Sequence, residues 1–271
     1  MIVDGRALAK EVLVRAKTRA LSLGRDPHVL AIVTNETFAT KSYLSIKEKR
    51  AVDAGCVLEI MRFPEDTTTA ALRAAVRATH ADAIIVQLPL PLSIDTKEVC
   101  DAIPVAKDAD VLSSIAREKF EQGEDVALLP PVVGALREIL EKNFIRVQGK
   151  KAVVIGAGFL VGAPSARWLM HQGALVEVVT LESDLSILKD ADLIISGAGS
   201  PHLIKPHMLK PGVVLIDAGT SESNGEVVGD AEPLCADLCS VFTPVPGGVG
   251  PLAVACLFEN VVILAKSAMN S

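Results

Sequence analysis

The chain has 271 residues, half of them hydrophobic, and carries a net charge of −6. That length holds two domains or one large one with a sizeable core. Its unbroken apolar runs fall short of the roughly 18–20 residues that span a bilayer. Its Lys and Arg are dispersed rather than gathered into a patch for nucleic acid. Cys56, Cys100, Cys235, Cys239 and Cys256 show no disulfide or zinc spacing, so they read as buried thiols in a reducing compartment. The first residues, Met1-Ile-Val-Asp-Gly-Arg, have neither the basic nor the apolar region of a secretory signal. Together these features point to the cytoplasm, with no membrane and no nucleic-acid partner.

In chain order, Asp4 caps a helix with apolar Leu8, Val12 and Leu13 that stops at Gly24. Residues 28–34 read as a buried strand, 40–54 as a helix ending at Gly55, and 56–63 as a second strand. Thr67 or Thr68 caps a helix running to about His80, and 83–87 is a third strand. Nearly continuous apolar strands alternating with helices argue for a parallel sheet covered on both faces. From Val111 to about Gly123 the pattern is polar and irregular. After Pro130-Pro131 and a helix over 132–142, a second alternation begins: strands at 151–155, 175–181, 193–196 and 213–217, with a glycine loop and helix after the first. The expected fold is therefore α/β with two units, and the apolar helix 252–268 returns to pack on the first.

Gly156-Ala157-Gly158-Phe-Leu-Val161-Gly162 follows a strand and opens a helix. In that setting glycines let backbone N–H groups approach a pyrophosphate at the positive end of the helix. Gly197-Ala-Gly199-Ser ends a later strand and can border the nicotinamide. Glu182 lies just past the second strand of this unit, where an acid binds the ribose 2′-OH of NAD, or is a solvated loop acid. The loop 156–162 has no Arg or Lys to hold the 2′-phosphate of NADP, which favours NAD.

In the first unit, Tyr43 and Lys47 are four apart on a helix and share a face. With Lys49 and Arg50 nearby, that face also reads as a basic solvated one. Gln87 ends an otherwise apolar strand, at the end where α/β sites form. Lys107-Asp-Ala-Asp110 adds two carboxylates to a loop, a composition that also serves turn formation. Pro246-Gly247-Gly248-Val249-Gly250-Pro251 is either a tight strand-to-helix turn or backbone brought close to a ligand. A Tyr-x-x-x-Lys pair with a nucleotide loop occurs in short-chain dehydrogenases, but there the loop comes first.

Taken together, Tyr43-x-x-x-Lys47, Val86-Gln-Leu-Pro-Leu-Pro91, Lys107-Asp-x-Asp110, Val161-Gly-x-Pro164, Ile216-Asp217-x-Gly219, Val228-Gly-Asp230 and the run 243–251 resemble the bifunctional methylenetetrahydrofolate dehydrogenase/methenyltetrahydrofolate cyclohydrolase family, in order and over nearly the whole chain. The resemblance implies an N-terminal catalytic domain over 1–118, completed by 252–271, a Rossmann-type domain over 119–251, and a cleft between them. It implies oxidation of 5,10-methylenetetrahydrofolate with NAD or NADP, then hydrolysis to 10-formyltetrahydrofolate without a metal, in a homodimer. It makes Lys47 the central catalytic group, Gln87 its holder, Tyr43 a stacking partner for the folate, and Asp110 an acceptor for pterin N–H groups. The run 246–251 would lie along folate and nicotinamide, with Gly156, Ala157, Gly158, Val161, Gly162, Pro164, Glu182, Gly197, Gly199, Asp217 and Gly219 on the cofactor side. The chain departs from the family at Ala157-Gly158 (usually Arg-Ser), Leu129-Pro-Pro-Val132, Val111 (usually Gly) and Leu252-Ala253. These changes leave two alternatives: a non-catalytic or monofunctional folate- or nucleotide-binding homologue, and another two-domain dehydrogenase of shikimate or amino-acid type.

Overall fold

A computed structural model describes residues 1–34, 38–124, 128–223 and 225–269, with 38–43 described by their backbone alone. The elements are α1 (Gly5–Leu21), β1 (His28–Val33), α2 (Phe38–Asp53), β2 (Val57–Arg62), α3 (Thr69–Ala78), β3 (Ala83–Val86), α4 (Thr96–Asp101), α5 (Ser114–Gln122), α6 (Pro131–Lys142), β4 (Lys151–Ile155), α7 (Gly162–His171), β5 (Leu175–Val179), β6 (Leu193–Ser196), β7 (Val214–Asp217), β8 (Ser221–Ser223), β9 (Glu226–Val228), β10 (Val241–Phe242) and α8 (Val249–Met269). Two helix starts follow side-chain caps read from the sequence. The Asp4 carboxylate accepts from the Ala7 N–H at 3.0 Å, and Thr68 Oγ1 from the Ala71 N–H at 3.2 Å. All five cysteines are buried.

One compact unit comprises Lys10–Pro131 and Val254–Ser271. Its sheet is β2-β1-β3, all parallel. Every residue of β3 is buried, as its unbroken apolar run requires, whereas β2, on the other side of β1, stays partly exposed. The C-terminal helix is fastened to the N-terminal one by charge. The buried Glu259 carboxylate takes Arg15 Nε at 2.7 Å and Arg19 Nη1 at 2.6 Å, so the buried acid is paired rather than isolated.

The other unit comprises Met1–Ala9 and Val132–Ala253. Its sheet runs β10-β7-β6-β4-β5, again all parallel, and β8 and β9 form a separate antiparallel pair. The chain leaves β4 for β5 on one side and returns to β6 on the other. The C-terminal end of β4 is therefore a topological switch point, where open α/β sheets bind ligands.

Three expectations change. The stretch read as irregular contains α5, capped by Ser113 Oγ and stopped by Gly123 at φ 73°; Ala116 and Phe120, four apart, bury its face. Helix α8 begins at Val249 rather than Leu252, so Val249, Gly250 and Pro251 are its first turn and not loop. By length and composition α8 is also able to cross a membrane. Counting unbroken apolar runs misses this because Glu259 and Asn260 interrupt it; its apolar residues are mostly buried inside the protein, as in a core helix.

Candidate active site

In the unit built on β1–β3, strand β3 runs straight into Gln87, whose N–H still bonds to the Ile32 carbonyl at 2.9 Å. The sheet thus fixes the backbone of the residue that ends the strand. Its side chain is held at both ends. Nε2 donates to the Leu88 carbonyl at 3.0 Å, and Oε1 accepts from Lys47 Nζ, on α2, at 2.9 Å. An ammonium can only donate, so it selects the carbonyl end of the amide.

The Lys107–Asp110 turn divides its labour. Lys107 Nζ donates to the Thr79 carbonyl at 3.0 Å. The buried Asp108 carboxylate accepts the N–H groups of Leu112 at 2.9 Å and Ser113 at 2.8 Å. These two residues build the turn. Asp110 keeps part of its surface exposed and feels the charge of Lys47. Burial lowers the Lys47 pKa from the usual lysine range, and the negative charge of Asp110 partly offsets that. Burial raises the Asp110 pKa, Lys47 opposes the rise and Asp108 adds to it. Lys47, Gln87 and Asp110 are thus one coupled group, and both ionisable heads sit deep in protein while keeping some access. The solvated-face reading of Lys47 does not fit this burial. The Tyr43 side chain lies outside the described residues.

In the other unit, the 156–162 loop sits at the switch point. Gly156 has φ 91°, a Cβ there would press on the Gly197 carbonyl, and one on Gly162 would overlap the carbonyl of Gly156. A Cβ on Gly197 would run into the Val161 side chain. These three glycines let the two loops pack together. Gly158 and Gly199 differ: a Cβ on either meets nothing within 4 Å, so their backbone faces open room. Ala157, Phe159 and Leu160 are exposed, Pro164 is buried in the first turn of α7, and Glu182 is exposed beyond β5. Exposed glycine backbone at the N-terminus of α7 suits a dinucleotide phosphate.

Asp217, expected on the cofactor side, has a buried side chain whose carboxylate accepts from Gly219 N at 2.9 Å and Ala231 N at 2.8 Å. Burial lifts it to about 6, and the negative charge of Asp230 adds to the lift. Asp230 itself, quoted in the Val-Gly-Asp motif but assigned no role, is the organiser of the 197–200 loop. It accepts from Ser196 Oγ at 2.6 Å, Ala198 N at 2.8 Å and Ser200 N at 2.7 Å. A Cβ on Gly219 would strike that carboxylate, so packing accounts for Gly219. In the 246–251 run, Gly247 has φ 113°, and a Cβ on Gly5 of α1 would overlap the Gly248 carbonyl. The close approach that the Gly/Pro density signalled includes one to the chain's own backbone.

Residues 3–110 match the family model for the tetrahydrofolate dehydrogenase/cyclohydrolase catalytic domain, and residues 130–269 match that for its NAD(P)-binding domain. A curated relative, the bifunctional protein FolD of Lacticaseibacillus paracasei, is 36% identical over 279 residues, covering 99% of this chain and 98% of its own. Among solved structures, the FolD methylenetetrahydrofolate dehydrogenase/cyclohydrolase of Campylobacter jejuni is 32% identical with a TM-score of 0.95, covering 99% of each chain. The Trypanosoma brucei enzyme, solved with NADP and an inhibitor, is 30% identical with a TM-score of 0.93, covering 100% of this chain and 99% of its own.

Proposed function

The chain belongs to the tetrahydrofolate dehydrogenase/cyclohydrolase family, and from that membership we infer that it oxidises 5,10-methylenetetrahydrofolate to the 5,10-methenyl form and hydrolyses the latter to 10-formyltetrahydrofolate. The observation that carries this reading is the Lys47–Gln87 bond of 2.9 Å beside Asp110. A nicotinamide cofactor supplies the hydride acceptor for the oxidation. Lys47, lowered by burial, has a larger neutral share near pH 7 than an exposed lysine. Its amine takes a proton from the water whose oxygen bonds to the methenyl carbon. The ammonium then returns that proton to the folate N5 as the C–N5 bond breaks, and the second water proton leaves to solvent. Gln87 aims the amine. Asp110 accepts hydrogen bonds from the pterin N–H groups, and Tyr43 stacks on the folate. The 246–251 segment contributes folate-binding backbone, and the protein works as a cytoplasmic homodimer.

The test is direct. Absorbance of the methenyl species is followed with methylenetetrahydrofolate and either cofactor, for the native enzyme and for Lys47→Met. The native protein turns over both steps, and the variant oxidises without hydrolysing. Folate or nucleotide binding without any turnover would establish a non-catalytic homologue instead.

For the cofactor, the proposal is NAD in preference to NADP. No cation lies in 156–162, and the exposed Glu182 stands beyond β5, where an acid suits a ribose 2′-OH and repels a 2′-phosphate. Comparing kcat/KM with the two cofactors decides it, and a strong NADP advantage refutes it.

A further inference from the structure

Helix α8 carries one amide whose two bonds reach turns far away in the chain. Asn260 is 7% exposed, and its Nδ2 donates to the carbonyl of Ala109 and to that of Leu129, both at 2.9 Å. An NH₂ group has two N–H bonds, and each meets one carbonyl, so its donor capacity is filled. Ala109 immediately precedes Asp110. Leu129 leads into Pro130 and the start of α6.

The turn beyond Asp110 needs such a hold. Val111 has φ 56°, and a β-branched residue in the left-handed region costs about 1–3 kcal/mol, a conformation that persists only where its surroundings enforce it. On the far side, the Asp108 carboxylate grips the N–H groups of Leu112 and Ser113. On the near side, Asn260 grips residue 109. Asp110 is suspended between the two.

We propose that Asn260 is a positioning residue for the folate reaction, holding the Ala109 carbonyl so that the Asp110 carboxylate points at the substrate. The proposal rests on the reading of Asp110 as a folate-binding group. Asparagine is required because the partners are both acceptors: leucine of similar size offers no donor, and aspartate would set a charge against two carbonyl oxygens.

The experiment is a double-mutant cycle on the full-length enzyme, using Asp110→Asn, Asn260→Leu and the pair, with kcat and KM for methenyltetrahydrofolate hydrolysis and a thermal melt for each. Expected are a rise in KM and a fall in kcat/KM of about 10- to 100-fold for Asn260→Leu. Little further loss is expected when that change is added to Asp110→Asn, because the two act through one group. A melt difference accompanied by additive kinetic losses, or by unchanged KM, overturns the proposal while leaving Asp110 in place. An Asp110→Asn enzyme with native kinetics overturns the Asp110 reading, and the proposal with it. Asn260→Ser, which keeps one donor, runs the same cycle should Asn260→Leu not fold.

Discussion

The turn at 107–113 and the loops at 156–162 and 197–200 solve a similar problem with opposite distributions of charge. Both are shaped by a buried carboxylate that accepts backbone N–H groups: Asp108 in the first, Asp230 in the second. At the first, a further carboxylate and an ammonium, Asp110 and Lys47, remain partly accessible and feel each other. At the second, the acids Asp217 and Asp230 are turned inward, and Ala157, Gly158, Phe159 and Leu160 face out. Proton transfer needs side chains with tuned ionisation, whereas a dinucleotide can be held by backbone and helix dipole.

Four changes test the contrast, taken from the largest effect down. Lys47→Met should lower methenyltetrahydrofolate hydrolysis by about 10²- to 10⁴-fold, the range for losing a general acid–base group, with the circular dichroism spectrum unchanged. Retained hydrolysis would erase the distinction between the two regions.

The second change concerns the inward acids. The Asp217 carboxyl is raised from 3.8 in an unperturbed chain to about 6 in the fold, so the folded state holds the proton more tightly. The stabilisation from this group is full below about pH 4, is lost as pH rises through 6, and is level above that. Two units correspond to roughly 3 kcal/mol. Urea unfolding from pH 4 to 7 should show that slope in the native protein and not in Asp217→Asn; parallel curves would mean that folding does not raise the Asp217 pKa.

The third is Ala157→Arg, which adds a cation to the outward face. The ratio of kcat/KM for NADP to that for NAD should rise by about tenfold, a single charge-assisted contact being worth about 1–3 kcal/mol. No change would show that the 2′ position lies elsewhere. The smallest is Val111→Gly. Glycine relieves the left-handed strain but loosens the unfolded chain and empties the space of a buried side chain, for a net loss near 1 kcal/mol in thermal or urea unfolding.

The parts that were legible in the sequence are those governed by neighbours along the chain. The apolar runs of β3, β6 and β7, the Asp4 and Thr68 caps and the glycine loop after β4 are all local signals, and they led to the right elements. The Lys47–Gln87 contact was legible because the family pattern spans both residues; spacing alone left Lys47 on a solvated face. The illegible parts depend on distance. Asn260 reaches Ala109 across 151 positions, and Asp230 reaches Ser196 across 34; no periodicity announces either. Helix α5 was hidden because its polar residues outweigh Ala116 and Phe120, although the Ser113 cap and the Gly123 stop were there to read. The 246–251 run misled at its second half, since glycine and proline mark a helix's first turn as well as a loop.

Each compact unit borrows from the opposite end of the chain: Met1–Ala9 belongs with Val132–Ala253, and Val254–Ser271 with Lys10–Pro131. The N-terminal segment lines up with β10 through the bridge between Ile2 and Phe242. During synthesis, then, the contact of the first residues with β10 forms only after most of the chain has left the ribosome, and the pairing of Arg15 and Arg19 with Glu259 comes later still. Neither unit is therefore complete as one continuous stretch of nascent chain. No single cut releases either one whole, so a fragment made to isolate the nucleotide half has to be rejoined end to end rather than trimmed.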